Sequence, residues 1–254
     1  AADWKPERPV TIVVPFPPGG TADQVARVVA AEMEKSLGQR FIVTNQPGAT
    51  GAIGARAVRD APKDGYTWLG TAHRLVGTYG IMGDVKVGLD EFHQGFAITN
   101  VPVISVATNA PYADFAPLLA ALKDKPGQLS VGTAGPATSG HFAMEALAQA
   151  ANVKYKHVTY QGGAPAVLST VTGETLINAE LASDQAEMIR AKRLKPLAAL
   201  SPAPLEIKGY GTIPAISRWV PNMPAVTTQF GILIPKGVPQ DVVDTVTKLW
   251  TEKI

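Results

Sequence analysis

The chain has 254 residues, of which 46% are hydrophobic and 17% charged, with a formal net charge of +2 at pH 7 and no cysteine. This composition is typical of a folded globular protein and excludes disulfides, thiolate catalysis and cysteine-bound metals. No apolar run approaches about 18 residues and no basic run stands out, so we expect neither a membrane span nor a nucleic-acid partner.

The chain begins AADW without an initiator methionine, as it would after removal of a signal peptide or after any other trimming. At the other end, the helical pattern of residues 242–250 runs on to Ile254 without a stopping glycine. This pattern leaves open whether the natural chain continues.

The first motif is the stretch PFPPGGTADQ, residues 15–24. It follows a β-branched run predicted to be a buried strand and precedes an apolar period of 3.6 predicted to be a helix. Thr21 and Gln24 have the spacing of a capping box, which predicts that the Thr21 side chain caps this helix. Main-chain amides at a helix start favour an anion, and Gly20 lets a ligand approach the backbone closely. The other interpretation is an ordinary strand-to-helix connection.

Two later turns repeat this arrangement. Thr71 follows a third predicted strand and is a candidate cap for a helix whose first turn carries His73 and Arg74. The turn of residues 135–140 follows another predicted strand and offers main-chain amides together with two hydroxyl groups. Because the carboxyl ends of parallel strands meet at one edge of a sheet, such turns predict a shared binding cleft.

The remaining elements continue the alternation of strands and helices. Residues 95–108 form one long β-rich run, which predicts a strand that leaves one lobe and enters another. A strand is expected to end near Glu180, before a helix capped by Ser183 or Asp184, and residues 201–224 are expected to be mostly irregular. The pattern predicts an α/β protein with mostly parallel sheets.

Six motifs resemble, in order and along essentially the whole chain, the extracytoplasmic receptors of tripartite tricarboxylate transporters, the Bug family. They are PFPPGGTAD, VTNQPGATGAIGA, APKDGYTWLGTA, GTAGPATSGH, HVTYQGGAPA and FGILIPKGVP. The resemblance implies a two-lobed periplasmic binding protein type II fold that closes on a small organic carboxylate and delivers it to membrane permease subunits. It also implies a first lobe of residues 1–98 and 227–254 and a second lobe of residues 99–226.

The resemblance further implies that two turns hold one carboxylate of the ligand. Carried onto this sequence, the residues are Gly20 and Thr21 in the first lobe and Thr138, Ser139 and Gly140 in the second. Amides and hydroxyls at helix starts bind a carboxylate without a full countercharge, so the binding can be firm and still reversible.

Other candidates come from departures from the family pattern. His73 and Arg74 stand where the family usually has small polar residues. Arg74 can donate two hydrogen bonds to a second carboxylate of the ligand, or it can be a solvated surface residue. His73 can hydrogen-bond or stack on the ligand, but a lone histidine near a turn is more often structural. Glu180 and Asp184 lie where the family commonly has Asp-Asn followed by Pro-Ser, which puts the usual polar contact in doubt. Phe16 can lay its ring on a ligand or pack in the core.

An enzyme is the alternative class. The sequence contains no GxSxG elbow, no Walker lysine and no HExxH, and its histidines are scattered singly, so we expect no catalytic residues, metal or cofactor. A hydrolase or transferase with residues drawn from distant segments stays open, as does a receptor that feeds a signalling protein. We expect a monomeric periplasmic receptor for a dicarboxylate, either aromatic, such as terephthalate, or aliphatic.

Overall fold

The computed structural model describes residues 3–82 and 85–253 and divides into two compact units. The first unit contains Ala1–Thr99 and Thr228–Ile254, and the second contains Asn100–Thr227. Each unit has a five-stranded sheet flanked by helices, so the predicted α/β class is confirmed. Within the described ranges, no helix is both long and apolar enough to cross a membrane.

The elements of the first unit are β1 (Val10–Val14), α1 (Thr21–Leu37), β2 (Phe41–Asn45), α2 (Ala52–Asp60), β3 (Thr67–Ala72), α3 (His73–Met82), β4 (Phe92–Asn100), β12 (Thr228–Pro235) and α8 (Gln240–Lys253). Those of the second unit are β5 (Val103–Ala107), α4 (Phe115–Asp124), β6 (Ser130–Thr133), α5 (Ser139–Ala151), β7 (Lys156–Thr159), α6 (Gly163–Val171), β8 (Ile177–Asn178), α7 (Ala182–Arg190), β9 (Leu194–Ala199), β10 (Leu205–Ile207) and β11 (Gly211–Ile213). The segment expected to be irregular thus contains an antiparallel hairpin, β10–β11.

Both sheets are mixed. The first sheet has the order β2-β1-β3-β12-β4, in which β1 is parallel to β2 and β3, whereas β12 is antiparallel to β3. The second has the order β7-β6-β8-β5-β9; β6 is parallel to β7 and β8, and β5 is antiparallel to β8 and β9. The helix-linked parallel strands bring the turns after β1 and β3 to one edge of the first sheet.

The long β run of residues 95–108 is two strands, which corrects the prediction of one. Pro102 lies between β4 and β5 and has no amide hydrogen, so it cannot continue a regular ladder. It forms an isolated bridge with Leu181, and its carbonyl accepts a hydrogen bond from Leu200 N at 3.0 Å. The second unit therefore begins with a new strand.

Each unit has its own hydrophobic core, built from apolar side chains of its strands and helices. In the first unit, Ile12 and Trp68 are fully buried on paired strands, and the Trp68 ring lies 5.2 Å from that of Phe41. In the second unit, one cluster packs Val131 and Met144 between the sheet and helices α4 and α5, and another packs β5 and β9 against α6 and α7.

Three predicted helix caps are wrong. Gly20, in an extended conformation, is the N-cap of α1, so Thr21 is the first helical residue. Thr71 stays within β3, and neither Ser183 nor Asp184 caps α7, whose N-cap is Leu181 with no side-chain cap. A cap is defined by its backbone conformation. The Ser183 hydroxyl instead accepts a hydrogen bond from Asn100 Nδ2.

Gly54 in α2 allows a close approach between this helix and the end of β1. A β-carbon on Gly54 would lie 2.9 Å from the carbonyl oxygen of Gln46 and 2.9 Å from Pro15 Cβ. Real side chains do not tolerate such contacts with backbone, so packing requires glycine here.

We expect Gly54→Ala to destabilise the protein by about 1–3 kcal/mol, because overpacking against backbone outweighs the better helix propensity of alanine. The matched control is Gly80→Ala in α3, where a β-carbon would meet nothing within 4 Å. It should stabilise by about 0.4–1 kcal/mol. Urea unfolding of both variants measures the difference, and equal stabilisation by both would contradict the packing argument.

Candidate functional site

In the first unit, the turn after β1 is fixed by the buried carboxylate of Asp23 in α1. Asp23 Oδ2 accepts hydrogen bonds from Gly19 N and Arg27 Nε, both at 3.0 Å, and Oδ1 accepts from Asn45 Nδ2 at 2.9 Å. Burial alone raises the pKa of Asp23, but these hydrogen bonds outweigh it and hold the pKa below its usual range. Asp23 is therefore a carboxylate at neutral pH and joins the turn to α1 and β2.

The same turn is tied to the end of β2 through Asn45. Its Nδ2 also donates to the Phe16 carbonyl at 3.0 Å, so one amide group fixes both sides of the turn. The half-buried Phe16 ring packs near Gly51, where an added β-carbon would lie 3.3 Å from the ring and 2.6 Å from Tyr79 Oη. Tyr79 Oη donates to the Thr50 carbonyl at 3.2 Å, and burial raises its pKa.

At the carboxyl end of β3, three polar side chains differ in exposure. Thr71 is buried, and its Oγ1 has no hydrogen-bond partner among the residues that the structure describes. His73 is also buried; burial lowers its pKa to about 4, against the opposing effect of hydrogen bonds with the Gln94 side chain and the Gly95 backbone. Arg74, the second residue of α3, is exposed.

In the second unit, the turn between β6 and α5 is held by its own polar groups. Thr138, the N-cap of α5, donates its hydroxyl to the Gly135 carbonyl at 2.7 Å. Ala137 has a left-handed backbone with φ of 58°, and its amide donates to His141 Nδ1 at 3.0 Å. Ser139 is the first residue of the helix and is half-buried.

His141 belongs to an aromatic and acidic cluster beside this turn. Its ring stacks on His157 at 4.3 Å and 15°, and His157 Nε2 lies 2.6 Å from Thr133 Oγ1. Burial lowers the pKa of both histidines, while the Glu145 charge opposes the effect. No group of three or more potential ligands in the described ranges could hold a metal ion.

Glu180 follows β8 in the chain, and its side chain packs against Gly140 at the start of α5. Its Oε1 accepts a hydrogen bond from Ala134 N at 2.6 Å, and a β-carbon on Gly140 would lie 2.8 Å from Oε1. The residue is 2% exposed. Burial and then the charge of Asp184 raise the pKa of Glu180 to about 8, against the opposing effect of the Ala134 amide.

Asp184 approaches the start of the neighbouring helix α6. A β-carbon on Gly163, the first residue of α6, would lie 2.6 Å from Asp184 Cγ. The half-buried Asp184 carboxyl group therefore lies against the positive end of α6. Asn178, two residues before Glu180, accepts from Glu180 N through Oδ1 at 3.0 Å, and its buried Nδ2 has no partner within the described ranges.

In each unit the candidate residues lie in turns and helix starts that follow strands. In the first unit, Phe16 and Gly20 lie in the turn after β1, Thr21 begins α1, and His73 and Arg74 begin α3 after β3. In the second unit, Thr138 caps α5, Ser139 begins it, and Gly140 adjoins Glu180. The charge of Asp184, in α7, acts on Glu180.

Sequence reasoning missed Asp23, Asn45 and Tyr79, which fix the surroundings of the first turn. A signal for Asp23 was present, because an acidic residue in the first turn of a helix can bond back to the preceding amides. Asn45 and Tyr79 gave no local signal, since their partners lie 22 or 29 residues away in the chain.

A family model described as the tripartite tricarboxylate transporter family receptor matches residues 25–253 of this chain. The chain is 36% identical over 249 residues to the UPF0065 protein in the tcbD-tcbE intergenic region of Pseudomonas sp. (strain P51), covering 95% of this chain and 72% of that protein. A family match of this extent accounts for the motif order along the chain.

Two solved structures are similar throughout. R. palustris Rpa4515 with adipate has a TM-score of 0.86 and 28% identity, covering 98% of this chain and 83% of that chain. The periplasmic binding protein BugD has a TM-score of 0.85 and 26% identity, covering 96% of this chain and 82% of that chain. Both share the α/β architecture described above.

The buried His73 predicts a loss of stability in mild acid. Its pKa of about 4 in the folded protein is below the ordinary value of 6.5, so the unfolded chain takes up a proton first as the pH falls. This contribution is complete above pH 6.5 and is lost as the pH approaches 4. Between pH 7 and 5 we expect a loss of about 2 kcal/mol from this residue.

Urea unfolding at several pH values measures this loss. His73→Gln removes the titrating group and should reduce the fall in unfolding free energy between pH 7 and 5 relative to the unmodified protein. An unchanged fall would show that His73 is not the group responsible.

Proposed function

The chain belongs to the tripartite tricarboxylate transporter receptor family, and from that premise we propose that it is a periplasmic receptor for a small organic dicarboxylate. Members of this family bind solutes, and the chain is a solute-binding receptor and not an enzyme. In the proposal, it delivers its ligand to membrane permease subunits of a tripartite tricarboxylate-type transporter.

The observation that carries the proposal is the similarity over 98% of the chain to R. palustris Rpa4515, whose structure contains adipate. Adipate is an aliphatic diacid. An aliphatic diacid is therefore our first candidate, and an aromatic one such as terephthalate is the second.

Arg74 supports a ligand with two carboxylates. It is exposed in the first turn of α3, directly after the carboxyl end of β3. A guanidinium group can donate two parallel hydrogen bonds to one carboxylate. We propose that Arg74 binds the second carboxylate, while Gly20, Thr21 and the turn of residues 138–140 bind the first.

Capture in this proposal occurs by closure of the two units on the ligand. A ligand that bonds to groups of both units favours the state in which those groups can be reached together. The Asp23 network and the Thr138 hydroxyl stiffen their turns beforehand, so less conformational freedom is lost on binding.

A thermal-unfolding panel tests the proposal. It contains adipate, malate, succinate and terephthalate, together with the monoamide of adipate and neutral diamides of similar shape. A ligand at about 100 times its Kd adds about 2.7 kcal/mol to stability, so one or more diacids should raise the Tm by several degrees. Diamides should give no shift. The absence of a shift with every acid, on folded and ligand-free protein, would overturn the proposal.

Arg74→Ala should weaken a diacid by about 1.5–3 kcal/mol, roughly 10- to 150-fold, because a charge-assisted hydrogen bond is lost. The monoamide should be affected little. Arg56→Ala, which removes an exposed arginine from α2 of the same unit, is the matched control and should leave both affinities unchanged. Calorimetric titration measures all three proteins, and an equal loss for diacid and monoamide would exclude Arg74 as the partner of the second carboxylate.

A further inference from the structure

The turn between β6 and α5 is supported by a histidine on the helix that follows it. We propose that His141 is a positioning residue for ligand binding: its neutral ring holds the amide of Ala137, and with it the turn of residues 135–140, in the conformation that receives the ligand carboxylate. His141 acts through the turn and does not itself contact the ligand. This role rests on the proposed function, in which residues 138–140 bind that carboxylate.

The turn has a backbone conformation that alanine does not favour. Pro136 is followed by Ala137 with φ of 58°, and Thr138 N donates to the Gly135 carbonyl at 3.4 Å. This is the pattern of a type II turn, in which the position of Ala137 normally takes glycine. A β-carbon opposes the left-handed backbone, so an interaction that holds Ala137 contributes to the shape of the turn.

The hydrogen bond between Ala137 and His141 determines which form of the ring can hold the turn. Ala137 N donates to His141 Nδ1 at 3.0 Å. A backbone amide can only donate, so Nδ1 must carry no hydrogen, and the neutral ring has its hydrogen on Nε2. A protonated imidazole has a hydrogen on both nitrogens and cannot accept this bond. Protonation of His141 therefore frees the Ala137 amide.

A second histidine supports the same turn from β7. His157 stacks on His141 with the ring centroids 4.3 Å apart, and its Nε2 lies 2.6 Å from Thr133 Oγ1. Thr133 Oγ1 also accepts from Gly135 N at 3.3 Å. The stack limits rotation of the His141 ring away from Ala137, and the pair of rings is connected to the turn at both of its sides.

The titratable groups beside His141 come from several elements. Glu145 Oε1, on α5, lies 3.7 Å from His141 Nε2 and accepts from Tyr155 Oη, before β7, at 2.6 Å. His157 faces the ring from β7, and Glu180 contacts the start of α5 from the segment after β8. Burial lowers the pKa of His141 below 6.5, against the opposing charge of Glu145, so the ring is mostly neutral at pH 7.

The sign of the pH dependence follows from the form of His141 that binding requires. Because the ligand needs the neutral ring, its affinity should be independent of this residue above pH 6.5 and should fall at lower pH, as the ring takes up a proton. Binding at low pH should release that proton.

Two variants separate the hydrogen-bond acceptor from the ring. His141→Asn places Oδ1 on Cγ, as Nδ1 is in histidine, and accepts the Ala137 amide at every pH, so adipate should bind as it does to the unmodified protein at pH 7. His141→Phe keeps a ring that can stack on His157 but has no acceptor. Its affinity for adipate should fall about tenfold at pH 7, because a partly buried donor is left without a partner. His93→Asn, a half-buried histidine of β4 in the first unit, is the matched control and should bind like the unmodified protein.

Calorimetric titration with adipate at pH 7 and pH 5, in two buffers that differ in ionisation enthalpy, measures affinity and proton release together. Adipate itself takes up protons towards pH 5, equally for every variant, so the decisive quantity is the affinity of the unmodified protein divided by that of His141→Asn. This ratio should be near one at pH 7 and should fall at pH 5, towards about one tenth when the ring is fully protonated. The unmodified protein should also release more protons at pH 5 than His141→Asn.

Nitrogen-15 NMR of the ligand-free protein tests the first step separately. At pH 7 the His141 ring should carry its hydrogen on Nε2, and on acidification the Ala137 amide resonance should shift with the same midpoint as the ring. A hydrogen on Nδ1 at pH 7, or an Ala137 amide that does not follow the ring, would overturn the positioning role.

Unweakened binding by a folded His141→Phe protein would also overturn it, as would an affinity ratio that is the same at pH 7 and pH 5, and both results would leave the receptor function intact. If His141→Phe does not fold, the ratio and the NMR titration decide. If adipate gives no heat, the diacid of the panel with the largest thermal shift replaces it. If no acid of the panel binds at pH 7, the proposed function fails, and the role of His141 in binding fails with it.

Discussion

The arrangement of the first unit depends on one buried carboxylate. Asp23 accepts hydrogen bonds from the turn that precedes its helix, from Arg27 one turn further along and from Asn45 at the end of the neighbouring strand. A buried carboxylate that accepts three hydrogen bonds fixes the positions of its donors, so the glycine-rich turn has a defined shape without a ligand. The half-buried Phe16 ring and the buried residues Gly20 and Thr21 that border this turn are positioned by a side chain that faces inward.

The second unit uses carboxyl groups differently. Glu180 and Asp184 lie against the starts of two helices, where backbone dipoles favour negative charge. The starts of α5 and α6 are therefore already in contact with carboxyl groups of the protein. Asp23 in the first unit keeps its charge because three donors pair with it, whereas Glu180 has the Ala134 amide and a negative neighbour. The two units thus surround their buried carboxyl groups differently, although their strand-turn-helix motifs look alike in sequence.

The order of elements and the location of the turns could be predicted from the sequence, because apolar periodicity and glycine position are local properties. The ends of the helices were predicted less well. Thr21, Thr71 and Ser183 have side chains suited to capping, yet Gly20 and Leu181 are the N-caps, and Thr71 remains in β3. The β-rich run of residues 95–108 forms two strands because Pro102 has no amide hydrogen, a signal that the sequence contains.

The contacts that set the chemistry of the candidate residues could not be predicted, because they join distant parts of the chain. Glu180 meets the Ala134 amide 46 residues earlier, and His73 is bonded to Gln94 and Gly95 on another strand. Burial, which decides both pKa values, is a property of the folded protein. Whether Arg74 meets a ligand remains a prediction, although its exposure agrees with that role.

The contact between Gly140 and Glu180 also has an evolutionary consequence. With a glutamate at position 180, any side chain at position 140 would collide with the carboxyl oxygen and with the Ala179 carbonyl oxygen, which lies 2.5 Å from where a β-carbon would be. Shortening the acid to aspartate relieves only the first collision, so position 140 stays restricted while position 180 is free to change length. The start of α5 is therefore constrained by the backbone at Ala179, whatever residue stands at position 180.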